Sequence, residues 1–449
     1  MIGSGPAGVY AAEALVEAGH AVDVLDRLPA PFGLVRYGVA PDHPKIRSVS
    51  GTLAAVLSGP GVRFIGNVDV GRDVTLAELH RHYDAVLVAV GAPVDRRLGV
   101  DGEDLAGSFS ATEFVAWYCG HPDAPVDRFT LGAAAVGVVG AGNVAVDVAR
   151  VLLRSADELR ATHVPEHVVQ VLDASRIGDV HLFVRRGPTE TRISTVELRE
   201  LGRVQNADVI VADPSELELP AAVEAALPGQ QKRNLATLRD WAGRQPQDRP
   251  RRLTVHFHRR PAALTGDGAV DGIVVERTAA DPAGRGGTTG QQDRVPVQML
   301  LRAVGYRGAA LPGLPFDRAT ATMPNVDGRV VADGVPVPGE YVAGWAKRGP
   351  TGVIGTNKHD ARETVASLLA DLPGLPVRPK TDPSALLSLL AERGVEVVSW
   401  AGWEQIELAE LAAGRAAGRE RATIAHRATL LAAARGATPR AAGVTQPPA

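Results

Sequence analysis

Three glycines near the start of the chain, Gly3, Gly5 and Gly8, stand in the spacing G-x-G-x-x-G, and Gly140, Gly142 and Ala145 repeat it with alanine in third place. A turn of this kind binds and does not itself react. Its first glycine carries the chain sharply out of a strand, its second lets backbone approach a pyrophosphate, and its third lets helix and strand pack closely. The following helix turns its positive end toward the phosphates. The chemistry then belongs to the bound dinucleotides, which carry hydride or electrons. After the second turn, the candidate strand Val180 to Val184 ends in Arg185 and Arg186, where a site for NAD tends to place an acid. Two guanidinium groups suit a 2′-phosphate by charge and by forked hydrogen bonding, so this second site is expected to prefer NADP(H).

Both turns need a strand before them and a helix after. The first is followed by an alanine-rich amphipathic run, Tyr10 to Ala18, and then by a strand, His20 to Leu25, with Asp26 at its end to accept hydrogen bonds from ribose hydroxyls. Only Met1 and Ile2 precede Gly3, against the ~5 residues usual in a strand. Either a few residues precede this frame or the central strand is short. Tyr83 to Val90 is continuously apolar and ends in Gly91, the mark of a parallel strand covered on both faces. Val136 to Val139 and the helix Val144 to Arg154 frame the second turn, and Val297 to Val304 ends in Gly305 as the Tyr83 strand ends in Gly91. These two strands are read as the ends of an inserted domain.

From there the chain returns through Tyr341 to Ala343 into Gly344, Trp345 and the segment AKRGPTGVIGTN, then a helix from His359 to Leu372. The glycines would let backbone amides reach a ligand, and the helix start would favour negative charge developing there. Leu28 to Arg47 has four prolines and no periodicity, yet Phe32, Leu34, Val35 and Tyr37 argue for an ordered, cofactor-facing loop. Thr195 is a candidate helix cap, with Glu197 and Glu200 on one face beyond it. Lys232, Arg233 and Arg239, with Leu235 and Leu238 turned inward, make a basic helix face suited to an acidic partner. Asp281 to Asp293 reads as a surface loop, Ser384 to Leu390 and Trp403 to Ala413 as covering helices, and Gly436 to Ala449 as a disordered tail.

Composition narrows the class. At 449 residues the chain should hold two or three domains, and 45% apolar content supplies their cores. A net charge of −3 gives no reason to expect nucleic acid. Cys119 is the only cysteine, which excludes a disulfide framework, a Cys-x-x-Cys redox pair and a cysteine-ligated zinc or cluster; no metal is expected. No apolar run reaches the ~18 residues of a membrane span. A cytoplasmic protein is expected, with a monomer favoured.

Taken together, GSGPAG at Gly3 to Gly8, PFGLVRYGVAPDHPKIR at Pro31 to Arg47, GAGNVAVDVAR at Gly140 to Arg150, VRRGP at Val184 to Pro188, ELREL at Glu197 to Leu201 and GWAKRGPTGVIGTNK at Gly344 to Lys358 resemble the adrenodoxin-reductase-like family of ferredoxin–NADP reductases. The resemblance implies an α/β fold of two Rossmann-like domains, with the NADP domain inserted in the FAD domain. Its expected bounds are 1–94 and 306–379 for FAD and 95–305 for NADP, with 380–449 a C-terminal extension. It implies FAD against Gly3, Gly5, Pro6, Ala7, Gly8 and Asp26, and against Leu34, Gly91, Trp345, Gly352, Val353 and Ile354. NADP would lie against Gly140, Gly142, Asn143 and Val144, with Arg185, Arg186, Glu197 and Gly352. His43 and Glu200 match a pair near the flavin and are the catalytic candidates. Asp26 departs from the family's usual glutamate.

The implied activity passes hydride from NADPH to FAD, then single electrons to a ferredoxin-type iron–sulfur protein. One cysteine excludes a disulfide reductase of the same architecture. An NADPH diaphorase, a flavin monooxygenase or a non-catalytic nucleotide-binding scaffold remain as alternatives.

Overall fold

A computed structural model describes residues 1–280, 286–376 and 382–436. The expected tail beyond Gly436 lies outside the described residues. The chain forms two units, one of Met1–Val94, Cys119–Asp123 and the described residues from Tyr306 on, the other of Asp95–Tyr118 and Ala124–Gly305. The short piece Cys119–Asp123 joins the first unit through its own contacts. Asp123 pairs with Arg27 and Arg427, and the His121 ring lies 5.0 Å from that of Tyr37.

In the first unit, strands run in the order Val398–Ser399, Val62–Gly66, Val22–Asp26, then Val86–Val88, Val335–Val342, Arg329–Ala332 and Asn325–Val326, with Ile2 between the two groups. Ile2 thus takes the central place in the strand order. Ile2 bridges Leu25 on one side and Val88 on the other, both parallel, and its N–H donates to Leu87 O at 2.9 Å. The sheet buries both faces, as the apolar run predicts. Val24 and Leu87 point into one core with Ala11, Leu15 and Val365, while Leu25, Val86 and Val88 point into another with Leu79 and Val342. Helices Pro6–Glu17 and Thr356–Asp371 pack together over the first core. Small side chains there, Ala7, Ala11 and Ala361, permit the close approach. The C-terminal helix Trp400–Ala416 buries Trp403 and Ile406 in the same core.

The second unit carries a six-stranded parallel sheet in the order Ser108–Ser110, Met299–Arg302, Ala135–Val139, Asp179–Phe183, Arg251–His256, Ala207–Val211. A separate antiparallel sheet of Arg259–Thr265, Gly272–Ala280 and Gly286–Val295 accompanies it. This corrects the reading of Asp281 to Asp293 as a surface loop, because from Gly286 on the chain is a strand. Its Thr, Gln, Asp and Arg side chains are all exposed, so backbone pairing holds it with no apolar face to announce it. Leu28 to Arg47 is ordered, but it is not only loop. It contains one-turn helices at Leu34–Tyr37 and Pro44–Arg47. Among the described residues no helix is long and apolar enough to cross a membrane.

Candidate functional site

The first glycine turn is shaped by backbone crowding. Gly3 has φ +106°, and a Cβ there would lie 2.5 Å from Ala89 O; a Cβ on Gly8 would lie 1.9 Å from Gly3 O. Gly5 differs, since nothing lies within 4 Å of where its Cβ would be. That open side is where a pyrophosphate can approach. The first intrahelical bond runs from Val9 N to Gly5 O, leaving the amides of Ala7 and Gly8, behind Pro6 at the helix start, for an anion. Two other segments close on this turn. Phe32 N donates to Ser4 O at 3.1 Å, and Gly33 packs so tightly on Gly5 that a Cβ would come within 3.1 Å of its Cα. Gly344 packs on Ala7, where a Cβ would be 2.7 Å away.

Asp26 accepts from Ser4 N at 2.9 Å and from Ser4 Oγ through one oxygen, and from Leu28 N at 2.9 Å through the other. Burial raises its carboxyl above the ordinary range, against the opposing pull of those hydrogen bonds. The shorter acid thus braces the glycine turn itself. The return segment has its own brace, which sequence reasoning missed. Asp360, buried, accepts from Gly344 N and pairs with Lys347 at 3.3 Å and Arg348 at 3.2 Å. No local pattern distinguishes that aspartate from a solvated one. Trp345 donates from Nε1 to Thr351 O, and its ring lies 5.5 Å from that of Tyr306. Gly352 has φ +83°, and Gly91 has φ +78° with open space where a Cβ would be. Leu34 and Val353 are large apolar side chains left 42% and 72% exposed, Ile354 is half-buried, and Val353 N donates to Thr356 Oγ1. Exposed apolar groups beside a braced glycine turn fit an aromatic cofactor.

The second turn is built likewise. A Cβ on Gly140 would lie 2.6 Å from Ala303 O and 2.9 Å from Ala145 Cβ, while Gly142 is open. Helix Asn143–Leu153 starts there, with Val144 in its first turn. The Asn143 side chain is spoken for, since its Oδ1 accepts from Ser194 N at 2.9 Å. Ser194, not Thr195, caps helix Thr195–Leu201, accepting from Glu197 N; Thr195 Oγ1 bonds Asn234 Oδ1 instead. The two hydroxyls are adjacent in sequence, and the buried Asn234 decides between them. Glu197 is buried and accepts from Arg150, itself fully buried and also paired with Asp147. Arg185 and Arg186 are exposed, and neither forms an ion pair among the described residues. Their backbones are fixed, for Arg185 O accepts from Thr278 Oγ1 and Arg186 O from His258 N. Free guanidinium groups on a pinned backbone suit a phosphate ligand. His43, buried, precedes helix Pro44–Arg47 in the first unit, and Glu200 stands on helix Thr195–Leu201 in the second.

A chain with two such turns, each opening a helix from the centre of its own sheet between parallel neighbours, is by architecture a two-dinucleotide oxidoreductase. Residues 1–181 match the family described as pyridine nucleotide-disulphide oxidoreductase. The chain is 42% identical over 446 residues to the NADPH-ferredoxin reductase FprA of Mycobacterium leprae, covering 96% of this chain and 97% of that one. It is 38% identical to the mitochondrial NADPH:adrenodoxin oxidoreductase of Arabidopsis thaliana, covering 97% and 94%. The solved structure of Mycobacterium tuberculosis FprA in complex with NADPH superposes with TM-score 0.92 at 42% identity over 97% of this chain and 98% of that one. The chain belongs to the adrenodoxin-reductase-like family of NADPH–ferredoxin reductases, flavoprotein oxidoreductases that use FAD and NADP.

Proposed function

We propose that this protein is an FAD-dependent ferredoxin–NADP(+) reductase, with an FAD domain of residues 1–94 and 306–379 and an inserted NADP(H) domain of residues 95–305. The observation that carries the coenzyme half is the exposed, unpaired Arg185–Arg186 pair on a backbone held by Thr278 and His258. FAD supplies the conversion of a two-electron hydride into single electrons. The chain's own residues bind and orient. Amides of Ala7 and Gly8 and the open face of Gly5 receive the flavin pyrophosphate, with Asp26 holding the turn in shape. Leu34, Val353 and Ile354 cover apolar ring surface. Asp360 fixes Gly344 and Trp345, which sets the course of the segment through Gly352. In the second unit, Gly140 and Gly142 admit the coenzyme pyrophosphate, and Glu197 is oriented by Arg150.

His43 and Glu200 shape the surroundings of the reacting rings, because hydride transfer to a flavin needs no general base. The acceptor is an acidic ferredoxin-type iron–sulfur protein, drawn to the Lys232–Arg239 face, where Arg233 is exposed. A cytoplasmic, monomeric setting goes with this reading. The test is direct. The purified protein should carry flavin absorbance that NADPH bleaches without air, and should pass electrons to a ferredoxin. A colourless, folded protein that binds no FAD would overturn the proposal.

A further inference from the structure

Arg192 lies just before helix Thr195–Leu201. Its backbone N–H donates to Ala141 O at 2.8 Å, inside the glycine turn between Gly140 and Gly142. The next residue's carbonyl, Ile193 O, accepts from the side chains of Asn234 at 2.9 Å and Gln230 at 3.1 Å. The one after, Ser194, donates its N–H to Asn143 Oδ1. Three successive residues are thus tied down, two of them to the turn itself and the third to a neighbouring helix. The Arg192 side chain alone is left exposed, with no ion pair among the described residues. A long cationic side chain loses entropy when a ligand fixes it, and a fixed backbone reduces what remains to be lost. Arg185 and Arg186 follow the neighbouring parallel strand Asp179–Phe183, whose Phe183 O accepts from Gly140 N, and are assigned above to the 2′-phosphate.

We propose that Arg192 is a third coenzyme arginine, one that binds the pyrophosphate of NADP(H) over the Gly140 turn. The charge there is separate from the 2′-phosphate, and a guanidinium fork fits two non-bridging oxygens. The inference rests on the second unit being the NADP(H) site. Its chemistry is distinguishable from that of the other two arginines, since a pyrophosphate contact does not discriminate NADP from NAD.

The experiment is equilibrium binding to the flavin-loaded protein, read by perturbation of the flavin spectrum or by calorimetry, with NADP+, NAD+ and 2′-AMP as probes. Arg192→Ala should weaken NADP+ and NAD+ by the same factor, at least about tenfold, which corresponds to ~1.4 kcal/mol. It should leave 2′-AMP, which has no pyrophosphate, unchanged, and Arg192→Lys should recover part of the loss. Unchanged NADP+ affinity in Arg192→Ala would overturn the proposal. So would a loss confined to NADP+ and 2′-AMP, which would assign Arg192 to the 2′-phosphate. Parent protein that binds none of the probes would instead refute the NADP(H) site on which the inference rests.

Discussion

Replacing Glu410 with Gln should loosen the Leu28–Arg47 segment from a position 374 residues away in sequence from Arg36. Glu410 is fully buried, and Arg36, in the one-turn helix Leu34–Tyr37, is nearly so. The Arg36 guanidinium meets both carboxylate oxygens, at 2.5 and 3.2 Å, and lies 5.0 Å from the ring centres of Tyr37 and Trp403. Arg421 adds a bond at 3.1 Å, and Ile424 N donates at 2.9 Å. Two cations thus share one buried anion. Removing its charge strands the Arg36 cation out of water, a change that costs about 3–5 kcal/mol for a buried pair broken on one side. At 2–4 °C per kcal/mol, typical of units of 150–250 residues, the melting temperature should fall by roughly 6–20 °C.

The same substitution should speed FAD release, because Phe32 and Gly33, next to this helix, pack on Ser4 and Gly5. Both effects can be followed by flavin fluorescence on heating. Burial opposes ionisation of Glu410, but the Arg36 charge and hydrogen bonds outweigh it and hold the carboxyl below its usual range. A depressed carboxyl stabilises above its unfolded value of ~4.3 and loses that contribution as pH falls through its folded value. Acid unfolding of the parent should therefore contain a transition that Glu410→Gln lacks. Arg36→Met combined with Glu410→Leu should recover much of the lost stability, as apolar replacement of whole buried pairs does elsewhere. A single variant melting within about 2 °C of the parent would refute the reasoning, since 3 kcal/mol cannot hide in so small a shift.

Neutralising Arg185 and Arg186 together should cut the preference for NADPH over NADH at least about tenfold, a factor that needs only ~1.4 kcal/mol, checked by kcat/KM for both coenzymes. An unchanged ratio would remove them from the 2′-phosphate. His43→Gln should slow flavin reduction modestly in stopped flow while FAD stays bound; complete loss of turnover with both cofactors bound would give His43 a proton-transfer role. Arg233→Glu should raise KM for an acidic iron–sulfur acceptor, more at low ionic strength, and leave a small neutral acceptor untouched. Arg239→Glu should add less, because Glu224 already grips that guanidinium at 2.7 and 2.8 Å. Equal ferredoxin kinetics for Arg233→Glu and parent at low salt would place docking elsewhere.

What could be read in advance divides by range of interaction. Gly3 and Gly140 were legible because their reasons are local. Each sits where backbone from the neighbouring strand leaves no room for a side chain, and the helix that needs the turn follows at once. The run around Val86–Val88 was legible because burial on both faces forces continuous apolarity. Strand Gly286–Val295 was not, for the converse reason, since an exposed strand held by backbone pairing imposes no pattern on its side chains. Thr195 was read as the cap and Ser194 is, because the Thr195 hydroxyl is taken by Asn234, 39 residues further on. The braces were the least legible of all. Asp26 accepts from Ser4, Asp360 from Gly344 and Glu410 from Arg36, and no spacing in the sequence announces any of the three contacts. A carboxylate's partner is chosen by the fold, whereas a glycine's φ is demanded by its own turn. A glycine motif therefore announces its own turn more reliably than it tells which acids hold that turn in shape.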